Sequence, residues 1–496
     1  MRLPRIDPKI SVSIVFVASM FMSIMDSTIV NVALPSIGRQ LNVPVTLIDG
    51  IVVSYVVSLA VVIPASGWLG DRIGTKRIFL IALALFTLAS ALCGLASNIT
   101  MLVILRALQG AAGGALTPVG TAILYRTFPP AQRVQVSRIL IFPTVLAPAT
   151  GPVLGGLLVD QLSWRWVFYV NVPIGIVACL FGLFYLNEHR EPGTGRFDLP
   201  GFVLAGLGLA LTMYALSEGS ARGWTSLSIL ASAIAGVIAL VAFVVVELRI
   251  PDPMLDLRLF RDRLFRTSNL VSMFSGAGFL GVLYVGPLFL QEARGVSALT
   301  SGLTTFPEAI GVVISTQIVA RLYPKVGPRR LMVSGLIAVA IFISLLTLMG
   351  SDTTLWLMRA LMFLIGAGMA FAFLSVQTAG FASISPADTG RASAIFTAQR
   401  QIGAALGVAL LSSVLNAIGT TTQGPGGAIV PNLLAYHVAF LAAAALALLA
   451  ACISLTIHDG DAAATMLRRA RPTTKKLAEV PQQPLSAGAG LQPSVD

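Results

Sequence analysis

The sequence predicts an all-α integral membrane protein with fourteen transmembrane helices: two six-helix bundles arranged as parallel repeats, and two further helices inserted between them. Three observations predict it. The 496 residues are 56% hydrophobic and 11% charged with a mean hydropathy of +0.87, well beyond what a water-soluble domain carries. Fourteen runs reach the roughly 20 apolar residues that a bilayer-crossing helix needs. Finally, the two ends of the chain repeat one another in one register.

The runs are approximately 12–34, 47–68, 77–97, 101–123, 135–159, 165–187, 199–217, 227–248, 267–290, 301–322, 331–349, 356–380, 392–417 and 434–457. The first is too long for a signal peptide, contains Asp26 and lacks a small-residue cleavage site after it, so it reads as an uncleaved span. A net charge of +12 raises the question of nucleic acid, which the placement of the charges answers. With the N-terminus inside, 26 Lys and Arg fall in inner segments, four in outer loops and three, Arg106, Arg359 and Arg400, within spans. That asymmetry is the positive-inside pattern of a multi-pass membrane protein with both termini cytoplasmic. The basic residues set topology and attract anionic lipid; no nucleic-acid partner is expected.

The repeat is read at a shift of 253 residues. It brings Arg72 onto Lys325, Gly74 onto Gly327, Lys76 onto Arg329 and Arg77 onto Arg330, and in the same register Arg106 onto Arg359 and Gly113 onto Gly366. Parallel repeats of this kind belong to transporters that rock two bundles about a central site. Six spans with short connections occupy roughly 180 residues, so a shift of 253 leaves room for two more, at 199–217 and 227–248. The expected domains are a first bundle at 1–190, the inserted helices with a surface segment at 191–265, a second bundle at 266–458 and a disordered tail at 459–496. Within 247–266, prolines and alternating basic and apolar residues predict a short amphipathic helix along the membrane surface.

Four motifs carry a family resemblance. They are "MDSTIVNVALP" at 25–35; the loop Gly67, Leu69, Asp71, Arg72, Gly74, Lys76, Arg77; Arg106, Gln109 and Gly110 in the fourth span; and "APATGPVLGG" in the fifth. With "WRWVFYVNVP" (164–173) and "PMLDLRLF" (253–260), the chain resembles the fourteen-helix drug:proton antiporter branch of the major facilitator superfamily over residues 10–457. The resemblance implies the major facilitator fold, a cytoplasmic gate in the 67–77 loop, and an antiporter motif in Gly151, Pro152, Gly155 and Gly156. Three departures stand out. Ala147 replaces the first glycine of the fifth-span motif, Pro324 takes the place of Asp71 in the second half, and Gly50 stands where relatives commonly carry tryptophan.

Asp26 is the residue the composition makes hardest to explain. An ionised carboxylate at a helix centre costs about 2.5–3.5 kcal/mol on insertion scales, so it must be paired or spend part of a cycle neutral. Depth supplies a partner: at 1.5 Å per residue, Asp26 lies roughly 12 Å and Arg106 about 8 Å below the same surface. Two readings stay open, a permanent structural pair and a proton-coupling pair. Glu308, in the tenth span, is a second proton-coupling candidate, with a water-facing position or a pairing with Arg359 as its alternatives. Asn31, Tyr55, Gln109, Arg359 and Arg400 are candidate lining residues of a substrate cavity. Gly151, Gly155 and Gly156 read physically as a close-packing stripe, with Pro148 and Pro152 as bends.

Other chemistries lack their residues. There is no phosphate loop. The three cysteines and three histidines have no metal-ligand spacing, so no enzyme, metal or cofactor is expected. The expectation is a secondary exporter exchanging amphipathic, cationic small molecules for inward protons, working as a monomer; a periplasmic adaptor is compatible, but nothing in the sequence calls for one. An endogenous lipid, siderophore or metabolite remains an alternative substrate, and a non-transporting membrane sensor or membrane-embedded enzyme is the remote alternative. An inside-negative potential supplies about 2.3 kcal/mol per charge per 100 mV, enough for a roughly fiftyfold gradient of a neutral compound per proton.

Overall fold

A computed structural model describes residues 7–41, 48, 50–129, 132–191, 197–251, 253–423 and 429–466. Every apolar run is matched by a helix: α1 (Pro8–Leu41), α2 (Gly50–Ile73), α3 (Thr75–Gly94), α4 (Ile99–Thr127), α5 (Arg133–Gln161), α6 (Trp166–Tyr185), α7 (Leu199–Arg222), α8 (Leu227–Arg249), α9 (Arg263–Ala293), α10 (Leu299–Val326), α11 (Pro328–Leu348), α12 (Leu355–Gly380), α13 (Thr389–Ile418) and α14 (Leu433–Ser454). Thirteen spans among the described residues are long and apolar enough to cross a membrane. The fourteenth, α5, bends by 41° between Arg133–Pro148 and Val153–Gln161, where prolines remove helical N–H donors.

The repeat in the sequence is also a repeat in space. Within the first half α2 packs on α4 and α1 on α5; within the second, α10 packs on α12 and α9 on α13. The halves meet through α2 with α13 and α5 with α10, a pair of contacts that the 253-residue register exchanges. The inserted α7 and α8 pack on one another, and α7 lies against α2 and α13. Outward-facing Leu88, Ile104, Leu108, Val177 and Ile238 are exposed, as a lipid-facing belt requires.

The two halves share a local device at the basic end, the end that carries the 67–77 loop. Gly74 has φ 122° and Gly327 φ 90°, a region that disfavours side chains. Each starts a helix whose early N–H is capped by a carboxylate from beyond the last helix of its own half. Lys76 N donates to Glu188 Oε1 at 3.0 Å, and Arg329 N donates to Asp459 Oδ1 at 2.9 Å.

Two expectations need correction. The segment after α8 is not a surface amphipathic helix. It is a five-residue 3-10 turn, Leu257–Arg261, preceded by buried Met254 and Leu255, with Leu255 N donating to Glu247 Oε1 at 3.2 Å. The carboxylate of buried Glu247 thus ties the segment to the protein. The tail is ordered at its start, where a 3-10 helix, Asp459–Thr465, docks through Asp459 and through Thr465 against Tyr323; residues 467–496 lie outside the described residues. A small antiparallel hairpin, Thr421–Gln423 with Ile429–Pro431, joins α13 to α14, and three-residue strands leave no alternation to read.

Candidate functional site

Asp26 and Arg106 meet, as their depths predict. Arg106 Nη1 lies 2.5 Å from Asp26 Oδ2, and the two side chains are 1% and 0% exposed, respectively. The carboxylate's other oxygen accepts from Gln109 Nε2 at 2.9 Å and from Asn171 Nδ2 at 2.7 Å. Arg106 also donates to Gln109 Oε1 at 2.8 Å and to the carbonyl of Ile51 at 3.4 Å, with its guanidinium 4.1 Å from the Tyr55 ring centre. Three helices therefore converge on one carboxylate: α1 provides it, α4 the cation and an amide one turn on, and α6 a second amide.

The sequence builds this geometry with small residues. On α4, Gly110 and Gly114 face α2 so closely that a Cβ at Gly110 would lie 2.7 Å from Ser58 Oγ, and one at Gly114 3.2 Å from the Leu59 carbonyl carbon. That approach lays Tyr55 over the guanidinium. On α5, a Cβ at Gly151 would meet Ile29 N at 3.3 Å, and one at Gly155 the Ile29 side chain at 2.9 Å, so two of the motif's glycines seat α5 against α1 beside Asp26. Gly156 does not share that role: nothing lies within 4 Å of the place its Cβ would take, and the structure gives no packing reason for it. Pro152 lies within the bend of α5.

At the basic end the 67–77 loop holds the halves together. Asp71, 3% exposed, accepts from Arg126 Nη2 at 2.7 Å, and a Cβ at Gly390, in the first turn of α13, would lie 2.8 Å from the Asp71 carboxylate. The anion thus sits at the positive end of a helix from the other half. Gly67 approaches α13 as closely: a Cβ there would be 2.7 Å from the Gly390 carbonyl oxygen. Arg126 also donates to the Pro386 carbonyl at 3.2 Å, Arg133 to that of Ile384 at 3.0 Å, and Tyr125 to that of Gln377 at 3.1 Å, with the Tyr125 ring stacked on Phe381 at 4.2 Å. The basic end is closed. Of the remaining loop residues, Arg77 pairs with Glu188 at 3.5 Å, Lys76 Nζ donates to the Leu183 carbonyl at 2.8 Å, and Arg72 is exposed.

The second half is arranged differently. Glu308 is 6% exposed and has a buried oxygen, Oε1, without a hydrogen-bond partner. It lines a small cavity with Phe279, Val282, Leu283, Thr305, Met362 and Ile365. It does not pair with Arg359, whose guanidinium lies 4.7 Å from the Trp356 ring centre instead. Arg400 is half-buried on α13. At 100° per residue it shares a stripe with Gly403 and Gly407, which pack against α9. The five candidate cavity residues therefore separate: Tyr55 and Gln109 belong to the Asp26 network, Asn31 is exposed on α1, and Arg359 and Arg400 lie in the other half.

Sequence reasoning missed Asn171, Ser90, Arg126 and Arg133. Asn171 stands in the quoted "WRWVFYVNVP" stretch, and an amide at the start of an otherwise apolar helix was the available signal. Among the described residues no group of three His, Cys, Asp or Glu could hold a metal ion, and the three cysteines are unbridged.

Two pseudo-equivalent helix bundles, with charged side chains buried inside the first and hydrogen bonds joining the halves across one end, define the class: a multi-pass secondary transporter of small molecules. Residues 16–408 match the Major Facilitator Superfamily, and the chain belongs to that family. It is 32% identical to the multidrug transporter protein MdtP of Bacillus subtilis over 402 residues, covering 81% of this chain and 74% of MdtP. It is also 32% identical to the MFS-type transporter YhcA of the same organism over 404 residues, 82% of this chain and 76% of YhcA. The human organic anion transporter MFSD10 shares the fold, with a TM-score of 0.64 at 17% identity over 90% of this chain and 99% of that one. Transporter fold and transporter relatives agree that the chain is not an enzyme.

Proposed function

We propose that the protein is a proton-coupled exporter of amphipathic, cationic small molecules, drugs among them, working as a monomer in a bacterial cytoplasmic membrane with both termini inside. One observation carries the proposal: a carboxylate with no exposed surface is held by donors from two other helices of its own half. As scaffolding such a pair is a poor choice, because well-packed apolar residues of similar volume are often as good or better. As a coupling site it has a use. Charged, Asp26 binds α4 and α6 to α1; neutral, it releases much of that attraction, and the three helices are free to repack.

The cycle follows from which state each ligand favours. A proton arriving from outside neutralises Asp26 and loosens the α1, α4 and α6 contact. The Asp71 latch then opens at the basic end, the proton leaves to the cytoplasm, and substrate binds the deprotonated protein. Glu308 supports a cationic substrate class: it offers an unpaired oxygen beside Phe279 and Met362, an acid next to the apolar and polarisable surface that an amphipathic cation fits. Relatedness to MdtP supports drug export. The test is purified protein in proteoliposomes with an imposed pH gradient. Addition of a cationic dye should drive proton movement that a protonophore abolishes, and dye uptake indifferent to the gradient would overturn proton coupling.

A further inference from the structure

The Asp26 network is satisfied everywhere except at one atom. Asn171 Oδ1 is buried and has no hydrogen-bond partner, although its Nδ2 donates twice, to Asp26 Oδ1 at 2.7 Å and to Ser90 Oγ at 3.0 Å. Buried amides ordinarily use both ends. Ser90 Oγ in turn donates to the Phe168 carbonyl at 2.9 Å, so the amide is held from α3 with its donor end toward the carboxylate. This arrangement suits an ionised Asp26, to which every neighbour offers hydrogen.

A neutral carboxyl needs an acceptor, and the neighbours differ in whether they have one. Arg106 has only donors. Gln109 Oε1 already accepts from Arg106 Nη1 at 2.8 Å and faces Cys93 Sγ at 3.7 Å. Tyr55, on α2, directs its hydroxyl to Ser23 at 3.4 Å. From α5, glycines rather than charged groups face α1 at this level. Asn171 alone among these partners holds an unused acceptor. We propose that Asn171 is the positioning residue for the coupling carboxylate: its amide holds Asp26 in the ionised state through Nδ2 and turns over when the carboxyl takes a proton, so that Oδ1 accepts the new O–H.

The step balances simply. A proton bonds to Asp26 Oδ1, the Nδ2 hydrogen bonds to Asp26 Oδ1 and to Ser90 Oγ both break, and half a rotation of the amide replaces the first with O–H to Asn171 Oδ1 and leaves the second unreplaced. Turnover moves the amide N–H to where Oδ1 now lies without a partner, so the neutral state holds α6 less firmly than the charged one. That difference gives α6 a way to respond to the charge on α1. The inference rests on the reading of Asp26 as the proton carrier, and the experiment separates the two.

Infrared difference spectroscopy of the full chain in lipid, with Asp26→Asn as the blank, follows the carbonyl band of the protonated Asp26 carboxyl as pH rises, with no need for transport. In Asn171→Leu, similar in size but without donor or acceptor, the band should persist to a pH about one unit higher than in the native protein, because the hydrogen bond lost from the ionised carboxylate is worth more than the one lost from the neutral carboxyl. The pH for half-maximal exchange should move by the same amount. Asn171→Ala gives the same direction if the leucine variant fails to insert. A band that disappears at the native pH in a folded Asn171 variant overturns the inference. A shifted band in a protein that exchanges no protons leaves Asn171 in place and overturns the coupling reading instead.

Discussion

The 253-residue register places Tyr55 opposite Glu308, Arg106 opposite Arg359, Gln109 opposite Met362 and Asp26 opposite Phe279. Both halves thus keep an arginine at the same place, but they keep their acid on different helices. In the first half the acid is on α1, within 2.5 Å of the arginine, and an aromatic ring from α2 covers the pair. In the second, α10 carries the acid at the position of that ring, α9 carries a phenylalanine, and acid and arginine do not pair. One framework has been given a tightly bound ion pair on one side and an unpaired acid on the other. A satisfied buried pair is suited to switching by a proton, and an unsatisfied carboxylate beside a cavity is suited to meeting a cation from outside the protein.

The largest test of this contrast is Asp26→Asn. Substrate-driven proton flux in proteoliposomes should fall at least a hundredfold while the protein still inserts, and retained coupling would show that the first half is not the switch. Next comes stability. Arg106→Leu leaves a buried carboxylate without its cation and should cost about 3–5 kcal/mol, whereas Arg359→Leu, which breaks no ion pair, should cost under about 1 kcal/mol; thermal unfolding in detergent compares them, and equal losses would erase the difference between the halves. A smaller effect is expected at Glu308→Gln. Transport of a monovalent cationic dye should fall about tenfold, or roughly 1.4 kcal/mol, with no loss of thermal stability; equal losses for neutral and cationic substrates would remove Glu308 from substrate recognition.

The smallest expected effect lies where the halves remain alike. Glu188→Gln and Asp459→Asn each weaken a carboxylate cap on an equivalent helix, and each should lower stability by about 1 kcal/mol. A larger loss at Asp459 than at Glu188, which also pairs with Arg77, would show that the tail's docking does more than close a helix end.

Much of the site was legible because its rarest residues are the informative ones. A single acid in "MFMSIMDSTIV" and a single arginine in "LVILRALQG" stand out against lipid-compatible surroundings, and helical rise fixes their depths. Asn171 was harder to see: a neutral amide carries no such penalty, and its importance depends on the step in α6 between Tyr169 and Asn171 that turns it toward α1. Arg126 and Arg133 are only two of the 26 inner basic residues, and nothing in the sequence distinguishes them from topology signals. Glu308 and Arg359 have depths compatible with pairing, and the distance between them depends on which way α10 and α12 face each other.

The amino-acid order alone determined the membrane class, the number of spans, the repeat and the identity of the buried charges. Each follows from a local quantity: the length of an apolar run, the free energy of placing a charge in lipid, or the spacing of a motif. Tertiary structure decided which acid is satisfied, which glycines touch another helix, which end is closed and which amide is left with a free oxygen. Those outcomes depend on rotations and separations between helices far apart in the chain, and they are set by close packing summed over many side chains rather than by any one segment.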